Sequence, residues 1–255
     1  MKLAGKHALV TGSDQGIGQA IALAFAKEGA DVVVNYRANQ RGAEETGTAI
    51  QKMGRRAPVI QADVGVTADT HKLVAEAIAA LGSLDILVNN AGIEKRAPFL
   101  EATEQDYRSV IEVNMTAPYF LSQDFARHLR DTQRPGKIVN VSSVHEELPF
   151  PHFTSYCMAK GGLKMMMRNL AIELASCGIT VNNIAPGAIE TPINRKMLEN
   201  PKEVAALKAN IPLGRMGQPS DVAHVAVFLA SSDADYITGT TIVVDGGLLW
   251  NYSEQ

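Results

Sequence analysis

Short β-branched runs alternate with longer stretches of helical period over nearly the whole chain, and this alternation constrains the fold more than any other feature. Strand-like runs fall at 7–11, 31–35, 57–62, 85–89, 137–141, 180–184 and 241–244, and helix-like stretches near 16–29, 40–53, 67–81, 104–130, 154–176 and 219–231. In a strand–helix–strand repeat each crossover must cover one face of the sheet, so the pattern predicts parallel strands buried on both faces. Such crossovers are almost always right-handed, which favours a doubly wound, Rossmann-type α/β fold. A closed barrel of this kind needs about eight units, more than the chain supplies. The reading is one domain over 1–255, a parallel sheet of about seven strands with helices on both faces. The longest connection, 186–218, carries Pro186, Pro192, Pro201, Pro212 and Gly217. Connections of that length are more often functional than idle, so it is expected to be a substrate loop within the same domain.

The composition suits a globular enzyme and excludes several other classes. With 255 residues, 46% of them hydrophobic and 20% charged, there is material for one large core. A net charge of −3 without basic clusters gives no reason to expect nucleic acid. No apolar run approaches the ~20 residues that cross a bilayer, and the N-terminal segment lacks the apolar centre of a signal peptide. A cytoplasmic protein with a small-molecule substrate is expected, with neither membrane nor nucleic acid as partner. Cys157 and Cys177, read as one helix, would lie about 30 Å apart, beyond disulfide reach. No metal site is expected.

After the first strand-like run comes Thr11-Gly12-Ser13-Asp14-Gln15-Gly16-Ile17-Gly18, leading into a helical pattern. Glycines there permit a tight turn and close approach of backbone N–H groups to a pyrophosphate, with the helix dipole adding positive potential. Taken alone the run could be only a turn. An acidic residue that would hold a ribose 2′-hydroxyl is expected about twenty residues on, but Asn35-Tyr36-Arg37 stands there. Without a carboxylate to repel a 2′-phosphate, and with Arg37 able to approach one, NADP is expected to be accepted and NAD also used. The alternative for Arg37 is a solvated surface charge. Asp63-Val64, Asn90-Ala91-Gly92 and Pro186-Gly187 follow later strands, where open α/β sheets bind ligands.

The fifth run ends in Val141-Ser142-Ser143, and Tyr156-Cys157-Met158-Ala159-Lys160 follows inside a helical pattern. The i, i+4 spacing puts Tyr156 and Lys160 on one helix face. A phenol working near neutrality needs its pKa lowered by ~2–3 units; one ammonium at ~4.5 Å with an effective dielectric near 20 is worth about that much before desolvation is counted, and a positively charged oxidised nicotinamide would add to it. The expectation is an acidified Tyr156.

This ordered set (T-G-x-x-x-G-I-G at 11–18, Asn89-Asn90-Ala91-Gly92, Asn114, Ser143, Tyr156-x-x-x-Lys160 and Pro186-Gly187) resembles the short-chain dehydrogenase/reductase family over almost the full chain. The resemblance implies a nicotinamide-dependent oxidoreductase. In it Tyr156 exchanges the substrate proton, Ser143 orients the substrate oxygen, Lys160 supports Tyr156 and holds ribose hydroxyls, and Asn114 anchors a water. Ile189 and Thr191 would contact the cofactor, Thr191 at the carboxamide. Pro118, four residues after Asn114, lacks the N–H that would bond the Asn114 carbonyl, which leaves that oxygen open to water; a simple helix kink is the alternative.

Within the family, the segments Ser143 to Pro151, Ala91 to Glu94 and Gly187 to Asn194 resemble glucose 1-dehydrogenases. That implies Glu94, His145 and Asn194 as partners of sugar hydroxyls, with Phe150 lining the pocket, and oxidation of glucose at C1 to its lactone. A 3-oxoacyl carrier-protein or small-ketone reductase is the competing enzyme reading. A non-catalytic dinucleotide sensor is the competing class, against which the complete Ser–Tyr–Lys set argues. Met165-Met166-Met167 spans more of a helix surface than one sheet-facing stripe, so part of it is expected to meet another subunit, as in a homotetramer.

Overall fold

In the computed structural model, which describes residues 1–192 and 199–251, seven parallel strands form one sheet. They are β1 (His7–Val10), β2 (Asp31–Tyr36), β3 (Val59–Gln61), β4 (Ile86–Asn89), β5 (Gly136–Val141), β6 (Ile179–Pro186) and β7 (Thr241–Val244), in the spatial order β3-β2-β1-β4-β5-β6-β7. The order reverses between β1 and β4, and that reversal opens a crevice at the carboxyl ends of the strands.

Strand alternation explains why two layers of helices are needed. Ala8 and Val10 of β1, Val32 and Val34 of β2, and Ile86 and Val88 of β4 enter one apolar cluster. Leu9, Val33 and Leu87, the residues between them, enter the other. The first face is covered by α1 (Gly16–Lys27), α2 (Gln40–Lys52) and α8 (Pro219–Ala230), which contribute Phe25, Ile50 and Val222. The second is covered by α3 (Thr67–Leu81), α5 (Ala117–Asp131) and α6 (Thr154–Glu173), with Leu73, Phe125 and Met167. Strands buried on both sides read as near-continuous apolar runs, as seen here.

The helical stretch 104–130 is not one helix. It divides into α4 (Glu104–Ile111), a π turn over Glu112–Thr116, and α5. The Ala117 N–H reaches back five residues to the Glu112 carbonyl, and Pro118 at the start of α5 has no N–H to restore the regular ladder. The stretch 154–176 likewise ends at Glu173, followed by a 3₁₀ turn over Ala175–Cys177, and both cysteines are free. β3 is shorter than its apolar run, whereas β6 continues to Pro186. The 186–218 connection includes α7 (Pro201–Ala209).

One row of the second face is polar. Asn89, Asn140 and Asn183 stand in register on β4, β5 and β6, each almost fully buried. Asn89 Nδ2 donates to Asn140 Oδ1 at 2.8 Å, and Asn140 Nδ2 to Asn183 Oδ1 at 2.9 Å. Asn89 Nδ2 also donates to Ser122 Oγ on α5 at 3.1 Å. Such a row satisfies its members only if the strands keep this register, so it pins the sheet beneath the site.

Phe125 of α5 is fully buried in the apolar cluster between that helix and the sheet. Phe125→Ala is expected to destabilise the fold by about 3–5 kcal/mol, measured by urea unfolding.

Candidate active site

At the crevice, the turn after β1 is held by side chains that bond to backbone. Gly12 and Gly16 adopt φ of +59° and +58°, which other residues rarely tolerate. A Cβ on Gly18 would lie 2.2 Å from the Gly12 oxygen and 2.4 Å from Asn90 Nδ2, so only glycine lets α1 start so close to β1. Asn90 Nδ2 donates to the Thr11 and Gly12 carbonyls at 2.8 and 3.0 Å, while Thr11 Oγ1 accepts from the Asn90 and Ala91 N–H groups at 3.0 Å. Ser13 is buried. Its hydroxyl donates to the Val10 carbonyl at 2.8 Å and accepts from the Asn35 N–H at 3.1 Å.

Asn35 lines the cofactor cleft and turns its carboxamide inward. It is 2% exposed, its Oδ1 accepts from the Gly12 N–H at 3.1 Å, and its Nδ2 donates to the Ile60 and Ala62 carbonyls at 3.3 and 3.2 Å. Its carboxamide is thereby committed to shaping the glycine turn and tying β2 to β3. Arg37, in contrast, is exposed at the rim.

A cleft of about 350 Å³ runs along this edge, and its walls include Gly12, Asp14, Gly16, Ile17, Gly18, Asn35, Arg37, Asp63, Val64, Asn90, Ala91, Gly92 and Thr191. Thr191 and Pro192 close over Gly16, within 3.5–3.7 Å of where its Cβ would be. Ser13, Pro186, Gly187 and Ile189 are not part of the wall. Gly187 instead packs on β7, its N–H donating to the Val244 carbonyl at 3.0 Å, and Ile189 is buried. Several wall residues were not site candidates in the sequence reading, Gln15, Ala38, Asn39, Ala62 and Val113 among them. Gln15 and Ala38 carry no distinctive chemistry; Asn39 caps α2 by accepting from the Gly42 N–H and donates to Asp14 Oδ2 at 3.1 Å. The signal for Asn39 was its position just ahead of a helical pattern.

The catalytic candidates meet where β5 ends. Ser143 follows that strand, and its Oγ accepts from the His145 N–H at 3.2 Å as the chain enters a 3₁₀ turn over Val144–Glu146. Tyr156 and Lys160 stand on one face of α6. The Ser143 side chain is near enough to the Tyr156 phenol to favour its ionised form, and Lys160 Nζ lies 5.5 Å from the Tyr156 ring centroid. Lys160 is buried and donates to the Val141 carbonyl at 2.8 Å. Asn114, in the π turn, grips the segment after β4. Its Nδ2 donates to the Ile93 and Val110 carbonyls at 2.8 and 2.9 Å, and its Oδ1 accepts from the Ile93 N–H at 3.3 Å. Gly92 fits between Asn114 and Lys160: a Cβ there would be 2.9 Å from Asn114 Oδ1 and 3.9 Å from Lys160 Nζ.

The expected acidification of Tyr156 is corrected by the structure. Burial pushes the phenol up to about 12, and the Glu94 carboxylate adds to the rise, against the opposing effect of the Ser143 side chain. The same burial pushes Lys160 down to about 8. Desolvation outweighs the attraction of one ammonium, so a working phenolate needs the further positive charge that an oxidised nicotinamide would bring.

Glu94 is half-buried, has no hydrogen-bond partner among the described residues, and is raised by desolvation. His145 Nδ1 donates to the Leu148 carbonyl at 3.0 Å, which leaves Nε2 as an acceptor, and burial lowers its pKa. Its ring stacks on Phe150 at 4.2 Å, Phe150 stacks on Phe153 at 4.1 Å, and Tyr156 meets His145 edge-on at 6.3 Å. Asn194 lies outside the described residues. A larger cavity, about 640 Å³, lies between α5 and α6, lined by Met115, Tyr119, Met166 and Cys177, and contains none of the candidate site residues. Of the three consecutive methionines, Met167 is core, Met166 lines this cavity and Met165 is exposed.

A family model described as enoyl-(acyl carrier protein) reductase matches residues 12–249. The chain belongs to the short-chain dehydrogenase/reductase family. It is similar to a 3beta-hydroxysteroid dehydrogenase of Eggerthella lenta, with 45% identity over 96% of this chain and 94% of that protein. It is similar also to a glucose 1-dehydrogenase of Gluconobacter oxydans, with 40% identity over 97% of this chain and 93% of that one. Among solved structures, it matches a gluconate 5-dehydrogenase of Burkholderia cenocepacia in complex with NADP and tartrate at a TM-score of 0.91 and 36% identity, covering 97% of this chain and 96% of that one. As a member of this family the chain is an oxidoreductase acting on CH–OH groups with a nicotinamide cofactor. The donor set fits that group. The cleft offers backbone N–H groups at a helix start, bare glycines at the points of closest approach, and no acidic side chain at the end of β2.

Because Asn35 acts through the turn, Asn35→Ala is expected to weaken NADH and NADPH binding equally, each by about tenfold, the worth of one or two buried hydrogen bonds. Fluorescence titration measures both.

Proposed function

We propose that this short-chain dehydrogenase/reductase oxidises a sugar, glucose at C1 to its lactone, with NADP or NAD as acceptor. The observation carrying this reading is the pair of acceptors, Glu94 and His145 Nε2, beside Tyr156 and Ser143. A polyol supplies donors for both; a ligand without hydroxyls leaves them unpaired, at about 1–3 kcal/mol each. When bound, the oxidised nicotinamide supplies the hydride acceptor and a further positive charge. Tyr156 takes the proton of the reacting hydroxyl as the carbonyl forms, and the Ser143 Oγ holds that oxygen in line. The Lys160 ammonium stabilises the phenolate and binds ribose hydroxyls. Asn114 holds the Ile93–Glu94 backbone in place. The rings of His145, Phe150 and Phe153 form a flat wall suited to the C–H face of a sugar ring. Thr191 and Pro192 close over the Gly16 turn, and Asn194 is read as a further partner of sugar hydroxyls.

A second reading, oxidation of an apolar secondary alcohol such as a sterol 3β-hydroxyl, is favoured by that same aromatic wall and by the similarity to the steroid enzyme. Reduction of a 3-oxoacyl thioester or small ketone is the remaining alternative. The exposed Arg37 sits where a 2′-phosphate would gain a charged partner, which supports NADP use alongside NAD. The groove between α5 and α6, with Met166 in its wall, fits burial against a second copy, and we read the protein as a cytoplasmic homotetramer. No helix among the described residues is long and apolar enough to cross a membrane.

Turnover by cofactor absorbance with glucose, a 3β-hydroxysteroid and acetoacetyl thioester separates the three substrates. Glucose is expected to lead, and inactivity on every sugar tried would remove the reading. Tyr156→Phe is expected to lower kcat by at least about 10²-fold, the usual worth of a general acid/base, with cofactor binding retained. Glu94→Ala and His145→Ala should each raise KM for sugar about tenfold and leave cofactor KM in place. Arg37→Ala should weaken NADPH about tenfold and NADH hardly at all.

A further inference from the structure

The row of amides across the sheet does not end on β6. Asn183 Nδ2 donates to Glu146 Oε2 at 3.3 Å, and the Glu146 carboxylate lies 3.7 Å from the Lys164 ammonium. The Glu146 side chain is 2% exposed and that of Lys164 is 15%, so this is an interior ion pair. Glu146 closes the 3₁₀ turn that starts from Ser143 and carries His145. Lys164 stands one helical turn beyond Lys160 on the same face of α6. Two ammoniums therefore sit a turn apart, and Lys160 spends its hydrogen bond on a neutral carbonyl.

Buried ammoniums need a counter-charge. The charged and titratable groups around them are few. Glu147 pairs with Lys164 from the solvent side and is about half exposed. Glu94 and Cys157 act on Tyr156 across the site, and His145 is held neutral by burial. From β6 the facing group is the neutral Asn183 amide. Among the described residues, Glu146 is the buried carboxylate that pairs with Lys164, 3.7 Å away, and its charge opposes the lowering that burial imposes on Lys160 one turn back.

We propose that Glu146 is a positioning residue for hydride transfer: clamped by the Asn89–Asn140–Asn183 row, it is the shared counter-charge of Lys160 and Lys164 and fixes the turn bearing Ser143 and His145. It rests on the roles given above to Tyr156 and Lys160. Loss of the Lys160 proton removes the charge that supports the phenolate, so activity falls on the alkaline side of the pH profile. The Glu146 charge delays that loss, and the Lys164 charge hastens it.

The test is the kcat/KM pH profile of Glu146→Gln, Glu146→Asp and Lys164→Met, with thermal unfolding recorded for each. Glu146→Gln keeps an acceptor for Asn183 but removes the charge, and its alkaline limb is expected to move down by about one pH unit. Lys164→Met removes the competing ammonium and should move the same limb up by about half a unit. Glu146→Asp should return it towards wild type. A structural role alone lowers stability without moving the limb, so limbs that stay put, or move in the same direction in Glu146→Gln and Lys164→Met, overturn the proposal. If Glu146→Gln does not fold, the upward shift in Lys164→Met and a wild-type-like limb in Glu146→Asp still decide it. Tyr156→Phe in the same series keeps the two readings apart. An inactive Tyr156→Phe with unmoved limbs removes only the role of Glu146, whereas an active one removes the parent reading.

Discussion

Taking the Lys160 ammonium out of water costs several kcal/mol, and the centre of the molecule is organised around meeting that cost. The Val141 carbonyl meets it directly, at 2.8 Å, and is available because β5 ends there and has no further strand bond to make. Parallel strands deliver all their carboxyl ends to one edge, so a single buried amine can be reached from β4, β5 and α6 together. Gly92 contributes by having no side chain, since a Cβ would crowd Asn114. Asn114 contributes from the π turn, which exists because Pro118 cannot continue the helical ladder. The catalytic residues are thus positioned by groups that never touch substrate.

The two halves of the crevice use different physics. In the cofactor half, neutral side chains hold backbone: Thr11, Ser13, Asn35 and Asn90 spend their hydrogen bonds on the glycine turn and its neighbours. Charged side chains are few in its wall: the half-buried Asp14 and Asp63, and the exposed Arg37. A preorganised backbone surface can receive a pyrophosphate without burying a permanent charge of its own. In the catalytic half, buried ionisable groups are concentrated, and burial drives the phenol and the amine towards their neutral forms. Additional positive charge on binding is what such a pair requires to work, which couples proton transfer to cofactor occupancy.

Much of this was legible in the sequence, for definable reasons. Period-two and period-3.6 patterns locate strands and helices because both faces of the sheet must be covered, and the strand ends fell within two residues of their positions. The glycine turn and the Tyr156–Lys160 pair are legible because close approach and helical spacing leave few alternatives. The asparagine row was not. Asn89, Asn140 and Asn183 are single polar residues in separate apolar runs, and only strand order and register show that they touch. Asn35 was read for the carboxylate it replaces; its direction, inward to Gly12, depends on β2 lying against β1. The Tyr156 expectation could not put a size on desolvation, a quantity that exists only once the surroundings are assembled.

Substrate choice is harder to read than reaction type because it is set by different constraints. Proton and hydride chemistry fixes residue spacing on one strand end and one helix, whereas the pocket walls come from separate segments after β4, β5 and β6. The stacked rings of His145, Phe150 and Phe153 present a flat apolar face that a sugar ring and a sterol ring can both cover. Discrimination therefore falls to the polar groups at the edge of that face. Glu94, half-buried and without a hydrogen-bond partner among the described residues, and His145 Nε2, left as an acceptor by the Leu148 bond, are penalised by any ligand that excludes water without supplying donors. An apolar alcohol gains from the rings but strands both acceptors; a polyol gains from both. The balance between these two terms, rather than the catalytic set, separates sugar from steroid activity on this scaffold.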